Sequence, residues 1–375
     1  MIYKPYGNTG KQVSVVGFGG MRFDTSRSNE ENAELLHYAY SQGINYFDTA
    51  PGYCDDKSED IFGIALKDMP KDRYVSTKGN PVNFDTAQKA QDAVKRSLER
   101  LGLEKIDFYH VWCLREMANY HLAMKPGGQY EGLLRLKEEG LIDHIVCSSH
   151  QPGSEIKQIL DEGYFEGVLL GVNILNFPYR WDGIEAAYNS GYGVAAMNPL
   201  GGGMIPTHEE QLQFLAKEGE TPTEAALRFI ISCQQISICL NGFTEKEHID
   251  MACRIADRAE AFSDADLKAI EESLGDNMNE ACTGCGYCWD CPQEISVPAY
   301  MQVYNEKKIF GASDEEMVKK VDGNHRFGML VGTKAYAKDC IECGRCEEAC
   351  TQHLPIIKRL QEMAVWEDKM ETKVG

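Results

Sequence analysis

The 375-residue sequence predicts a closed (β/α)8 barrel followed by a small, mainly helical unit rich in cysteine, and three observations carry that expectation. Eight short apolar, β-branched runs alternate with helical periodicity over the first two-thirds of the chain, the pattern of a parallel sheet covered on both faces. The alternation stops near residue 275. Beyond it, eight cysteines fall in two compact groups, Cys282, Cys285, Cys288 and Cys291, then Cys340, Cys343, Cys346 and Cys350. The expected units are therefore a barrel at 1–275 and a cysteine-bearing unit at 276–375, with a doubly wound open sheet as the competing arrangement of the first part.

In chain order, KPYGNTGKQVS reads as a hairpin turning near Asn8, suited to closing the barrel floor. The strand runs are then VSVVGFG near 13, NYFDTA at 45, RYVSTK at 73, DFYHVW at 107, HIVCSS at 144, GVLLGVN at 167, GVAAMNP at 193 and SICLNGF at 237. Helix starts between them are marked by capping-box pairs: Ser28 with Glu31, Asp85 with Gln88, Thr221 with Glu224 and Thr244 with Glu247. Pro222 sits at the favoured first helical position. Gly43 and Gly102 follow two helix ends, where a left-handed residue is wanted. SDADLKAIEESLG reads as a last helix before the boundary at 274–281.

Composition narrows the function. With 38 basic against 58 acidic residues the formal charge is -20, which disfavours nonspecific attraction to nucleic acid or an anionic membrane. The first twenty residues lack the build of a signal peptide, and no apolar run reaches the length of a membrane span, so a cytoplasmic chain is expected. In that reducing compartment the 14 cysteines should be thiols or metal ligands.

Barrel chemistry sits at the C-terminal ends of strands. There Asp48 ends the second strand run, Tyr53 lies just past it, Lys78 ends the third and His110 falls late in the fourth. Each alone reads as an ordinary turn, surface or core residue. Together they suit the protonation of a carbonyl oxygen: a lysine cation would lower the pKa of the phenol, an aspartate would hold the lysine, and the imidazole would orient the oxygen. Through GFGGMRF, NYFDTAPGYCDDKSE, STKGN, DFYHVW, VCSSH and MNPLGGG, residues 1 to 260 resemble the aldo-keto reductases, whose Asp, Tyr, Lys and His tetrad falls on Asp48, Tyr53, Lys78 and His110.

The resemblance implies a nicotinamide cofactor, NADP or NAD, and a small carbonyl or alcohol substrate. The matching cofactor positions are Gly20, Met21, Ser148, Ser149, Asn198, Leu200, Gly242, Thr244, Lys246 and His248. Several depart from the family. Ser149 stands for an asparagine, Leu169 for the glutamine that holds the carboxamide, Met197 for a stacking aromatic and Asn198 for a lysine. His248 replaces the arginine on the 2′-phosphate, and Met251 and Ala252 the pair near adenine. The helix opening at NGFTEKEHIDMA would face its N-terminal amides to the phosphates.

The eight clustered cysteines admit three readings. Disulfides fit neither the compartment nor the spacing. Zinc takes four thiolates, but a ribbon needs only two per knuckle. Three thiolates at x-x intervals with a fourth elsewhere suit a [4Fe–4S] cubane. The resemblance to two-cluster ferredoxins implies that Cys282, Cys285 and Cys288 share one cluster with Cys350, and Cys340, Cys343 and Cys346 the other with Cys291. The remaining cysteines, Cys54, Cys113, Cys147, Cys233, Cys239 and Cys253, read as packing residues. The expected function is an oxidoreductase interconverting carbonyl and alcohol, with two [4Fe–4S] clusters leading to a redox partner protein. The alternative is a noncatalytic redox or iron sensor, or a barrel with a changed cofactor and structural clusters.

Overall fold

A computed structural model describes residues 1–277, 281–282, 287–326, 330, 335–350 and 353–370. The hairpin comes first, β1 (Tyr3–Pro5) antiparallel to β2 (Gln12–Ser14). Eight strands follow: β3 (Val16–Gly19), β4 (Tyr46–Asp48), β5 (Tyr74–Gly79), β6 (Ile106–Leu114), β7 (Ile142–Ser149), β8 (Gly167–Gly171), β9 (Gly193–Met197) and β10 (Ile238–Asn241). All eight pairings are parallel, and β10 returns to β3 to close the barrel. Each strand grows from one of the eight apolar runs, because a strand buried on both faces needs near-continuous β-branched and apolar side chains.

Tyr6 plugs the floor. Its ring is fully buried against Phe108, with centroids 4.8 Å apart, and Tyr46 at 6.2 Å. Gly193 makes room for it, since a Cβ there would sit 2.3 Å from that ring. Lys4 fixes the hairpin from the other side, donating to the carbonyls of Ile231, Cys233 and Ile236 at 2.8–3.0 Å, where the helix Pro222–Ser232 ends. A cation at a helix C-terminus satisfies orphan carbonyls and complements the dipole.

The capping boxes of Ser28 with Glu31 and Thr221 with Glu224 form in full. Two others differ. Thr86, not Asp85, caps the helix Ala87–Leu101, and Asp85 instead pairs with Lys89. Glu245 is the cap residue of Lys246–Arg258, because the Thr244 carbonyl is taken by Arg27 and its hydroxyl lies 3.3 Å from His248.

The cysteine-bearing unit has its own core, in which Ile295, Tyr300, Met301, Met317, Leu360 and Trp366 pack beside Cys288 and Cys350. Glu367 ties it together. Its carboxylate accepts from the Tyr300 hydroxyl at 2.5 Å, the Ala337 amide at 2.9 Å and His325 at 2.8 Å. Hydrogen bonds to a buried charge are among the stronger ones available to a small core. Among the described residues, no helix is long and apolar enough to cross a membrane.

Candidate functional site

Strand register brings the four polar residues together. Asp48 lies opposite Ser76, and Lys78 opposite His110. Lys78 Nζ donates to both Asp48 oxygens, at 2.7 and 2.5 Å, and Ser76 Oγ donates to Asp48 Oδ1 at 2.6 Å. Lys78 and Asp48 are 1% and 2% exposed, so this is a fully buried ion pair. His110 is buried beside it, with Nε2 3.8 Å from Asp48 Oδ1. Burial and the Lys78 cation push its pKa down to about 3, so the ring is neutral at physiological pH. Its Nδ1 lies 3.4 Å from the Cys147 carbonyl, beyond the usual N–H···O range, and Nε2 bonds to no described residue. That nitrogen is the one available to a substrate oxygen.

Tyr53 is half-buried, edge-on to Trp112 at 5.7 Å, with Lys78 Nζ 5.5 Å from its ring centroid. The expected lowering of its pKa is not what the structure gives. Burial raises it well above the ordinary phenol value, and the charge of Asp48 adds to the rise. The cation that was to pull it down is bound to Asp48, so the ring faces a nearly neutral pair. The turn that presents Tyr53 is strained: Cys54, Asp55 and Asp56 all have φ between 53° and 63°, a left-handed run of three residues with side chains. It persists because Asp56 Oδ1 accepts from the Gly52 amide and from Arg100, both at 2.8 Å, while Arg100 also holds Asp60 at 2.9 Å.

The expected cofactor positions divide. Ser148 and Ser149 fasten a bulge in β6: the register slips between Val111 and Leu114, and Cys113 takes φ 65°. Ser148 Oγ accepts from the Cys113 amide at 3.3 Å, leaving its own hydrogen uncommitted. Ser149 Oγ donates to the Leu114 carbonyl at 3.1 Å. Gly20 is a packing position, where a Cβ would meet Ser58 Oγ at 2.5 Å. Leu169 lies 2% exposed in the barrel interior, and Met197 packs against the same cluster. Met21 is exposed; Asn198 is left-handed at φ 64°, and Leu200 precedes the turn Gly201–Gly203. Lys246 lies over the Tyr38 ring at 5.1 Å, and His248 is within reach of Thr244.

Sequence reasoning missed three cations here. Arg22 lies across Gly242, where a Cβ would meet its Cγ at 2.5 Å, beside the helix start at Lys246. Arg27 holds the Thr244 carbonyl and pairs with Glu245. Arg115 stands just past β6, its Nε 3.1 Å from Cys113 Sγ. Only the end of an apolar strand run followed by a basic residue hinted at the last. With Arg22 beside a helix N-terminus, the site suits a dinucleotide's phosphates. Of the two positions expected to hold a carboxamide, Ser148 offers a hydroxyl and Leu169 an apolar side chain.

Of the eight clustered cysteines, Cys285 lies outside the described residues. Cys288 and Cys350 are buried, Cys343 is exposed and the others are half-buried. The turn Tyr287–Trp289 packs against Arg345–Glu348, joining the two groups. The Cys340 thiol is raised by burial and by the charges of Cys291 and Cys343, and Cys346 is pushed up to about 11 by burial and Cys340. Cys291 thus approaches the second group. The Glu342 and Leu354 amides donate to Cys340 and Cys350 Sγ, each at 3.4 Å. Among the described residues no three Cys, His, Asp or Glu side chains converge on one bare ion. Two groups of cysteines, each with three at x-x intervals, are the donor chemistry a cubane takes.

Cys282 is clasped to the helix Val297–Phe310: its amide donates to Asn305 Oδ1 at 2.7 Å, and Asn305 Nδ2 donates to its carbonyl at 2.8 Å. A cavity of about 260 Å³ runs between this helix and the barrel rim, with Cys282 and Trp289 on one wall and His150 and Asn198 on the other.

Residues 15–274 match the family model described as "Aldo/keto reductase family", and residues 281–356 match "4Fe-4S dicluster domain". Among curated proteins the chain is similar to a probable aldo-keto reductase 1 of Glycine max, 23% identical over 72% of this chain and 87% of that one. It is also similar to L-galactose dehydrogenase of Arabidopsis thaliana, 26% identical over 65% and 84%. Among solved structures, the holo form of an aldo-keto reductase from Bacillus halodurans superposes with a TM-score of 0.63 at 22% identity, over 73% of this chain and 96% of that one.

The folded pKa of His110 is depressed, so its contribution to stability is full above the unfolded value of 6.5 and is lost as pH falls toward about 3. Urea unfolding should show the wild type losing about 2 kcal/mol more than His110→Gln between pH 7 and 5; equal losses would contradict a neutral, buried ring. Cys54→Gly should raise stability by about 1 kcal/mol, since glycine removes the left-handed penalty. A fall in thermal midpoint would instead mean that the Cys54 side chain outweighs its backbone.

Proposed function

Because the chain belongs to the aldo/keto reductase family, we propose that it interconverts a small carbonyl and its alcohol with a nicotinamide cofactor, NADP or NAD, and exchanges electrons through two [4Fe–4S] clusters. The observation that carries this reading is the buried Lys78–Asp48 pair lying under Tyr53 and beside His110, in a chain that continues into a 4Fe-4S dicluster domain.

A nicotinamide, when bound, supplies hydride to the carbonyl carbon. His110 Nε2 donates a hydrogen bond to the carbonyl oxygen and fixes its direction. Tyr53 gives its hydroxyl proton to the same oxygen, so the product is a neutral alcohol. The phenolate left behind recovers its proton from water, while the Asp48–Lys78 pair beneath it, with Lys78 Nζ 5.5 Å from the ring centroid, stays paired. Asp48 keeps Lys78 in place through both states. Alcohol oxidation runs the same steps in reverse. The raised pKa of the free phenol suits a donor that stays protonated until substrate charge develops.

In the second unit, Cys282, Cys285, Cys288 and Cys350 would hold one cluster and Cys291, Cys340, Cys343 and Cys346 the other. The approach of Cys291 to Cys340 supports this crossed arrangement. The unit boundary falls at 275/276. The hydride step is complete in itself; two single-electron transfers, one through each cluster, would match the electron pair of one nicotinamide and link it to a partner protein that accepts or supplies electrons singly, and a reducing compartment such as the cytoplasm suits the free thiols.

Tyr53→Phe should lower kcat by about 10²–10⁴-fold while leaving iron content at about eight atoms per chain prepared without oxygen. A fully active variant would remove Tyr53 as the donor, and an iron-free wild type would remove the clusters.

A further inference from the structure

The cavity of about 260 Å³ lies where the cysteine-bearing unit meets the barrel, and each unit supplies one wall. His150, Asn173 and Asn198 belong to the barrel wall; they follow β7, β8 and β9, at the C-terminal strand ends where barrel chemistry sits. The helix Val297–Phe310 forms the other wall. Its last turn is seated on the barrel, with Ile309 and Phe310 packed against the barrel core and the Phe310 and His208 ring centroids 4.2 Å apart.

The start of that helix is left uncapped. Ser296 stands at the N-cap, yet its hydroxyl does not accept from the Ala299 amide as a capping serine would. Ser296 is only 4% exposed, and among the described residues neither its Oγ nor the Ala299 amide has a partner. Both residues line the cavity. A buried hydroxyl left unpaired is costly, and a ligand oxygen bonded to Oγ and to the amide removes that cost. The helix end does not have the fan of amides that holds an anion: Pro298 has no N–H, and the Val297 amide donates to the Ile295 carbonyl at 2.8 Å. One amide remains, enough for a neutral oxygen.

The barrel wall offers matching groups. The His150 ring stands over the end of β8, its Nδ1 3.4 Å from where a Cβ on Gly171 would lie, and neither this ring nor the Asn198 side chain bonds to a described residue. Burial, with Arg180 nearby, pushes the His150 pKa down to about 3, so the ring is neutral. The charged side chains of the lining are already engaged: Lys320 with Glu306 at 2.8 Å, and Arg180 with the Gly171 and Gln151 carbonyls. A charged ligand would give up water here without meeting a counter-charge. Leu175, Met204 and Val303 add apolar surface for a short carbon chain. The volume lies just below the ~300–1,000 Å³ typical of ligand sites, which limits the occupant to a small molecule.

We propose that this cavity is a ligand site completed by the cysteine-bearing unit, and that it takes a small uncharged molecule with an oxygen at each end, a diol or a hydroxy-carbonyl compound. Ser296 Oγ and the Ala299 amide hold one oxygen; His150 and Asn198 hold the other. The site is read from the cavity alone and needs neither the carbonyl–alcohol chemistry nor the clusters.

NMR titration of the full chain, without nicotinamide, with 1,4-butanediol, 1-butanol and 4-hydroxybutyrate tests this. The diol should bind about fivefold or more tightly than 1-butanol, which leaves one wall unpaired, and than 4-hydroxybutyrate, whose carboxylate finds no cation. Ser296→Ala should weaken the diol by about three- to tenfold, the range of one hydrogen bond, while leaving the ligand-free thermal midpoint unchanged or higher, because it deletes an unpaired buried hydroxyl. Asn198→Gly, which keeps the left-handed backbone, should weaken the diol by a similar factor. Equal binding of the three ligands, or a diol affinity untouched by either variant, would overturn the site. A lowered midpoint in Ser296→Ala would mean that the hydroxyl serves the fold, and would overturn it as well. A chain that lacks carbonyl–alcohol activity but keeps the preference for the diol would sink the proposed chemistry and leave this site standing.

Discussion

The site depends on one buried ion pair. Lys78 and Asp48 are removed from water almost completely, and each is tolerated only because the other is 2.5–2.7 Å away and Ser76 adds a third hydrogen bond. Pairs of this kind contribute little net stability against an apolar replacement, but breaking one side leaves a buried charge that costs about 3–5 kcal/mol. Their value here is positional. Adjacent parallel strands β4 and β5 hold the two groups in register, so the lysine cannot turn to solvent and remains under the Tyr53 ring.

Two electrical consequences follow from the pair being nearly neutral as a unit. The phenol above it is not made acidic in the resting site, because the field it meets is dominated by its own burial and by Asp48. The neighbouring imidazole stays neutral, because burial and Lys78 outweigh the attraction of Asp48. Both groups therefore keep hydrogens to give. Their placement has a further condition in the left-handed turn at Cys54–Asp56, braced by Asp56 reaching back to Gly52 and across to Arg100 on a separate helix, and by the Lys57 and Ser58 amides donating to the Cys54 and Tyr53 carbonyls at 3.1 Å. Strain of this sort is sustained by surroundings that leave the chain no alternative.

What the sequence disclosed was what local patterns determine. Eight apolar runs became eight strands, the hairpin closed the floor, and the Ser28 and Thr221 capping boxes formed because their partners lie within one helical turn. The Asp85 assignment slipped by one residue because Thr86 caps equally well and Asp85 has Lys89 within reach. Thr244 was displaced by a contact from Arg27, more than two hundred residues away in sequence. The β6 bulge and Arg115 were illegible for the same reason: their conformation is dictated by Ser148, Ser149 and Gln151 across a strand boundary. The direction of the Tyr53 shift could not be read either, since it is a balance of burial against two opposed charges whose distances the sequence does not contain.

A tyrosine held protonated by a self-neutralised Asp48–Lys78 pair is the centre of this account. Ultraviolet difference titration of tyrosinate, comparing wild type with Tyr53→Phe in the absence of ligands, measures that state directly. The Tyr53 signal should appear above the ordinary phenol pKa of about 10. Ionisation of Tyr53 below about pH 8 would mean that Lys78 acts on the phenol and not on Asp48, contradicting the account at its root.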